Sequence, residues 1–261
     1  MEACKAGARE SVLFFGTRPD HAMDIEKTSL YSVAHDSRND GMKTKDLSRL
    51  SVDGVLCISL KDRKDRRLLL LETMKRSGLD IEFVLVDPDR ENPARGCFNS
   101  HLKCAEIALQ RNYSNVLILE DDALQYFFSK QTVRNINRFI STENFSILHL
   151  GYTMGKIWLT WNFSIARGRV TALHAYILSK RGCSEFVKLE YRSEPIDRVV
   201  RAQIKQHCVL PMMFGQQPAH LVSSDIEDIA PNDDSFWRNN WYRHVWSAVK
   251  NFYMTVLGVN R

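Results

Sequence analysis

Apolar residues along the chain gather into short dense runs, and regular patterning starts at Val55. The run 55–60 (Val-Leu-Cys-Ile-Ser-Leu) reads as a buried strand. Asp62 can cap a helix that passes through Leu68, Leu71 and Met74 and stops at Gly78. A second strand follows at 81–86. Ser100 can cap a second helix from His101 to about Arg111. The all-apolar run 116–119 is a third strand that ends directly in Glu120-Asp121-Asp122. This alternation predicts an α/β fold, with a Rossmann-type, mostly parallel central sheet flanked by helices. Ligands in such sheets bind at the carboxyl ends of the strands, so Arg63, Asp87 and the acidic triplet are expected on one rim.

After the triplet the pattern changes. A strand is expected at 145–150 and a loop at 151–155. The runs 157–163 and 170–178 alternate like the two strands of a hairpin. Helices are expected at 181–190 and 196–206, and the proline-bearing stretch 209–236 reads as irregular. Three divisions follow: a polar extension 1–50, a domain 51–234, and a C-terminal helix 235–261. In that helix Trp237, Trp241, Tyr242, Val245, Trp246, Val249, Phe252, Tyr253 and Val256 recur at spacings of three and four, with Arg238, Arg243 and Lys250 among them. Such a stripe either packs on the domain as ordinary core or lies along a membrane surface, where Trp, Tyr, Lys and Arg favour the headgroup boundary.

Composition adds limits. With 261 residues, 44% apolar and 26% charged, the chain can bury a sizeable core. The net charge of +5 suits an anionic small ligand or an anionic membrane. No dense Lys/Arg run with interleaved aromatics occurs, so no nucleic-acid partner is expected. The six cysteines form no Cys-x-x-Cys pair, which argues against a zinc site and for reduced structural thiols. The apolar run 12–15 is too short for a signal peptide or a membrane span. The expected location is therefore cytoplasmic, with membrane contact at most peripheral.

The triplet carries the strongest chemical signal. Three adjacent carboxylates repel one another unless a counter-charge is present. A hard divalent cation, Mn²⁺ or Mg²⁺, would supply it, with Glu120 and Asp122 as ligands because alternate residues leave an extended chain on the same side. The competing reading is a solvated strand end with a helix cap. Gly96-Cys97-Phe98-Asn99-Ser100-His101 opens the expected second helix, whose free N–H groups suit a phosphate; otherwise Ser100 is only a cap. In Glu194-Pro195-Ile196-Asp197, Asp197 is either a helix-start carboxylate or a general base.

Taken in order, Leu60-x-x-Arg63-x-Asp65-Arg66-Arg67, Gly96-Cys97-x-x-Ser100-His101 and Leu119-Glu120-Asp121-Asp122 resemble glycosyltransferase family 25. The family includes lipooligosaccharide galactosyltransferases and collagen galactosyltransferase-like domains. Residues 171–179, with Ala175-Tyr176, resemble a further motif, as do Pro195-Ile196-Asp197, Gln216-Gln217 and Ser224-Asp225-Ile226. The resemblance spans about 53–228. It departs at Pro93-Ala94-Arg95, where the family has Gly-Glu-(Ile/Val). It implies a GT-A-like fold and a nucleotide-sugar donor, UDP-galactose or UDP-glucose. It implies a divalent metal at the triplet and transfer of a hexose, with inversion, to a glycan, protein or lipid-linked acceptor. Glu120 and Asp122 would hold metal, and Arg63, Asp87, Ser100, His101 and Asp121 would line the donor site. Asp197, or alternatively Asp225, would serve as base. Two rivals remain: a protein that kept the fold without transfer activity, and a nucleotidyltransferase. The second normally carries a glycine-rich loop after the first strand, and Leu60-Lys61-Asp62-Arg63 has no glycine.

Overall fold

The computed structural model describes residues 50–217, except 76, 128 and 154, and residues 234–258. The expected extension 1–50 lies outside the described residues apart from Leu50.

The three expected strands are present as β1 (Gly54–Leu60), β2 (Glu82–Val86) and β3 (Asn115–Glu120). They pair in parallel around β1. The remaining elements of the sheet are β5 (Ile147–His149), β6 (Gly155–Leu159), β7 (Ile165–Val170), β8 (Ala175–Ser179) and β9 (Gln206–Val209). The strand order is β2-β1-β3-β8-β5-β9-β7-β6. Strands β8 and β7 run antiparallel to their neighbours, and the other six share one direction. A two-stranded ribbon of β4 (Ala123–Gln125) and β10 (Phe214–Gln216) stands apart from this sheet.

The alternation of β3 divides the interior. Leu117 and Leu119 face α1 (Lys64–Met74) and α3 (Lys130–Thr142), in a cluster with Leu70, Ile136 and Phe139. Val116 and Ile118 face α2 (Pro93–Gln110), α4 (Lys180–Phe186) and α5 (Ile196–Gln203), among Phe98, Ala105, Phe186 and Val200. Helices thus cover both faces, which is why the four middle positions of β3, 116–119, are all apolar. Each such fully buried aliphatic side chain contributes about 1.5–3 kcal/mol. The α/β class with helices flanking one central sheet is the class read from the sequence.

Several local expectations are corrected. Helix α2 begins at Pro93, not His101: Asn92 caps it by accepting from the Arg95 N–H at 3.0 Å, and Pro93 occupies the first turn. Ser100 is therefore inside the helix, with its hydroxyl donated to the Gly96 carbonyl at 2.7 Å. Asp62 does not cap α1, whose N-cap is Arg63 without a side-chain bond. That helix buries Leu70 and Met74 and leaves Leu68 and Leu71 exposed. The partner of β6 is β7, and 175–179 forms the separate buried strand β8 between β3 and β5. Strand β9 lies partly where helix was expected. Its Gln206 side chain bonds both the N–H and the carbonyl of Val170, at 2.8 and 3.3 Å.

The C-terminal segment forms α6 (Asp234–Lys250) and α7 (Phe252–Val256), which lie along β6, the last strand of the sheet. Their inward side is largely polar. Asn240 donates to the Tyr152 carbonyl at 3.5 Å and Asn251 to Ile157 at 2.9 Å. Ser247 bonds both the N–H and the carbonyl of Ile157, His244 bonds Thr153, and Thr255 bonds Leu159. These side chains satisfy backbone groups along the sheet edge and its approach, which an open edge would leave unpaired. The expectation that the aromatic stripe is buried as core is corrected on this point. Trp241 and Ala248 join the core, whereas Tyr242, Trp246, Val249, Phe252, Tyr253 and Val256 are exposed.

Candidate active site

Strand β3 delivers the triplet to the carboxyl end of the parallel strands, and the chain turns at once into β4. Successive residues leave in different directions. Asp121 is only 4% exposed and meets Arg66 of α1, with 3.0 Å between its Oδ1 and the guanidinium. Burial raises its carboxyl above the usual range, while Ser59 and Arg66 work against that shift. Its charge is answered within the fold.

Glu120 and Asp122 turn toward a different set of neighbours. The Glu120 carboxylate stands 3.2 Å from His101 Nε2, and His101 Nδ1 is 2.8 Å from the Tyr176 hydroxyl. A carboxylate only accepts, so the Nε2 proton points at Glu120. In the neutral ring Nδ1 then accepts from Tyr176. Burial pushes the Glu120 carboxyl up, but the His101 bond and nearby positive charge outweigh it and hold it below the ordinary range. Asp122 is bracketed by β10. The Gln216 amide donates to Oδ2 at 3.1 Å, and the Gln217 N–H donates to the Asp122 carbonyl at 2.7 Å. Its other oxygen, Oδ1, is buried without a protein partner. Burial, then the Glu120 charge, push this carboxyl up to about 7.

Asp197 is the third carboxylate. It sits in the first turn of α5 and accepts from the Ala172 N–H at 3.3 Å. Ala172 has φ +74°, a conformation costly for a non-glycine residue, so this bond has a structural task as well. Burial, and then the charges of Glu120, Asp197 and Asp122, push the Cys97 thiol well up. The donor atoms of Cys97, His101 and Glu120 all lie within 4.8 Å of one another.

The donor set fits a divalent cation. The Asp122 Oδ1 is buried with no partner among the described residues, and two further carboxylates adjoin it in sequence, an oxygen-rich set of the kind a hard cation takes. One of the expected residues stands differently from its expected role. Ser100 lies inside α2, so the expected helix N-terminus beside it is not there to offer free N–H groups. Asp87 pairs with Lys61 at 2.6 Å on the exposed rim, where Arg63 meets Asp65 at 3.0 Å. Arg95, where the family pattern has a different residue, is held by Asp89 at 2.6 Å and Glu91 at 3.4 Å. Ser224, Asp225 and Ile226 lie outside the described residues.

Sequence reasoning missed Arg66, Cys97, Tyr176 and Gln216 as parts of the site. All four stood inside the motifs quoted above. Gly151 also escaped notice. A Cβ there would come within 2.1 Å of His174 Nε2 and 2.6 Å of the Phe214 carbonyl, so only glycine lets these segments close behind the triplet.

Comparison with known proteins agrees with the motif reading. The family model described as "Glycosyltransferase family 25 (LPS biosynthesis protein)" matches residues 91–164, which include α2, the triplet and α3. A "Glycosyltransferase 25 family member" of Drosophila melanogaster is 24% identical over 209 residues, 67% of this chain and 33% of that protein. A namesake in Drosophila pseudoobscura pseudoobscura is 24% identical over 210 residues, covering 68% and 32%. The chain spans about a third of the length of these relatives. Among solved structures, A197 from STIV aligns with TM-score 0.38 and 11% identity, covering 69% of this chain and 98% of that one. A glycosyltransferase involved in glycosylation of the major capsid of PBCV-1 aligns with TM-score 0.30 and 12% identity, covering 51% and 63%.

Proposed function

We propose that this chain, similar in sequence to glycosyltransferase family 25, transfers a hexose from a nucleotide sugar to an acceptor hydroxyl with inversion. The donor is UDP-galactose or UDP-glucose, and the acceptor a glycan, protein or lipid-linked sugar. The observation that carries this reading is the acidic triplet at the end of β3, with Glu120 held by His101 and Asp122 Oδ1 buried without a partner among the described residues.

Glu120 and Asp122 would hold Mn²⁺ or Mg²⁺, which when bound neutralises charge on the departing diphosphate. The other roles belong to the chain itself. His101, fixed by Tyr176, orients Glu120, and Gln216 orients Asp122. Arg66 answers Asp121 and keeps a third negative charge away from the diphosphate. Asp197 takes the acceptor hydroxyl proton as the oxygen attacks the sugar from the face opposite the nucleotide.

The test is donor hydrolysis and transfer with UDP-, GDP- and CMP-sugars, each with and without Mn²⁺. Metal-dependent turnover of a UDP-hexose supports the reading. Tight binding without turnover of any donor favours a binding or assembly protein of the same fold.

A further inference from the structure

Helices α6 and α7 are amphipathic in an inverted sense. Asn240, His244, Ser247, Asn251 and Thr255 recur every three or four residues and meet the backbone of β6 and the segment before it. The opposite side carries Tyr242, Trp246, Val249, Tyr253, Val256 and Leu257 at the same helical spacing. Trp246 is 72% exposed and Leu257 70%. A helix that merely completes a core points its aromatics the other way.

The apolar surface continues onto a second element. Phe163, in the turn between β6 and β7, stacks on Phe252 with ring centroids 6.5 Å apart, and it is 61% exposed together with Trp161. Hairpin tip and helix pair therefore present one aromatic face. Contiguous exposed apolar surface of this kind marks an interaction site.

Charge and residue type indicate the occupant. No Asp or Glu follows Asp234, whereas Arg238, Arg243, Lys250 and Arg261 do. Arg243 and Lys250 are exposed on the helix that carries the stripe. Trp and Tyr beside Arg and Lys, without acids, match the boundary between anionic headgroups and acyl chains. Among the described residues no helix is long and apolar enough to cross a membrane, which suits a helix lying along the surface.

We propose that the outward face of α6 and α7, with Trp161 and Phe163, docks the protein on an anionic lipid surface. The docking stands apart from the transfer reaction and is measured without donor or acceptor. Truncation is a poor test, because the polar side of the same helices covers the sheet edge. Outward residues are changed instead, in the full chain. Flotation with phosphatidylserine/phosphatidylcholine vesicles compares wild type, Trp246→Glu/Tyr253→Glu and Arg243→Glu/Lys250→Glu, with melting temperature as the fold control. The wild type floats with anionic vesicles and at least tenfold less with pure phosphatidylcholine. Both double variants lose at least tenfold in partitioning while melting like the wild type. Equal flotation of the aromatic variant, or no flotation of the wild type, overturns the proposal. So does lipid-free dimerisation of the wild type that the aromatic variant abolishes, since the occupant is then a second copy. If one double variant fails to melt cooperatively, the other decides.

Discussion

His101 and Glu120 meet at 3.2 Å across the junction of α2 and β3, and Tyr176 on β8 fixes the far side of the same imidazole. Two consecutive elements and a third far along the chain thereby set the direction of one carboxylate. Asp122, two residues on, is oriented independently by Gln216. The other oxygen of Asp122 is buried with no partner among the described residues.

That unpartnered charge has a pH signature in the metal-free protein. The folded-state pKa of Asp122 lies above its ordinary value of 3.8, at about 7. Between those pH values the folded protein binds more protons than the unfolded chain. Its favourable contribution is therefore full below about pH 4 and is lost as pH rises toward 7. Asp122→Asn removes the titration. In EDTA this variant is more stable than wild type at pH 8, by on the order of 2–4 kcal/mol, and the advantage shrinks at pH 4. Urea unfolding at both pH values checks it, and an equal advantage at both contradicts the assignment.

Asp197 separates structure from catalysis through two substitutions. Asparagine keeps an oxygen to accept from the Ala172 N–H but cannot take a proton. Asp197→Asn is thus expected to melt close to wild type while kcat falls about 10²–10⁴-fold with little change in donor KM. Asp197→Ala loses both and costs a further ~1–2 kcal/mol of stability. Near-normal turnover by the asparagine variant removes Asp197 from the proton-transfer role.

Cys97 places a sulfur and His101 a nitrogen beside Glu120, all within 4.8 Å. Mixed sulfur, nitrogen and oxygen donors suit Zn²⁺ better than Mn²⁺. Zinc that draws Glu120 to this set removes it from Asp122. Inhibition by Zn²⁺ that excess Mn²⁺ relieves is expected, and Cys97→Ser weakens it about tenfold or more. Unchanged zinc sensitivity in that variant shows that zinc acts elsewhere.

How much of this was legible in sequence depends on the kind of signal. Strands β1 and β3 are largely buried and, with the edge strand β2, read as dense apolar runs, so the parallel core and the triplet at its rim were visible. The start of α2 was not, because Asn92-Pro93 caps it upstream of the motif that drew attention to Ser100. Helix α3 carried a readable stripe of Val133, Ile136, Phe139 and Ile140 that was passed over between stronger motifs. Strand β9 was hidden by its polar residues, since Gln206 and His207 are buried by side-chain bonding and packing that no periodicity encodes. The stripe on α6 and α7 was legible, but its direction was not: only the polar bonds to β6 show which side faces in. The partners of the triplet come from α1, α2, β8 and β10, contacts that close only in three dimensions.

The most direct measurement is calorimetric titration of UDP-galactose and UDP-glucose into the wild type and into Glu120→Gln and Asp122→Asn, each with Mn²⁺ and with EDTA. The account predicts that wild type binds one of these donors only when metal is present. It predicts that both variants lose at least tenfold in that affinity while remaining folded. Donor affinity that is equal in Mn²⁺ and EDTA, or unchanged in the two variants, would contradict a metal-held donor site at Glu120 and Asp122.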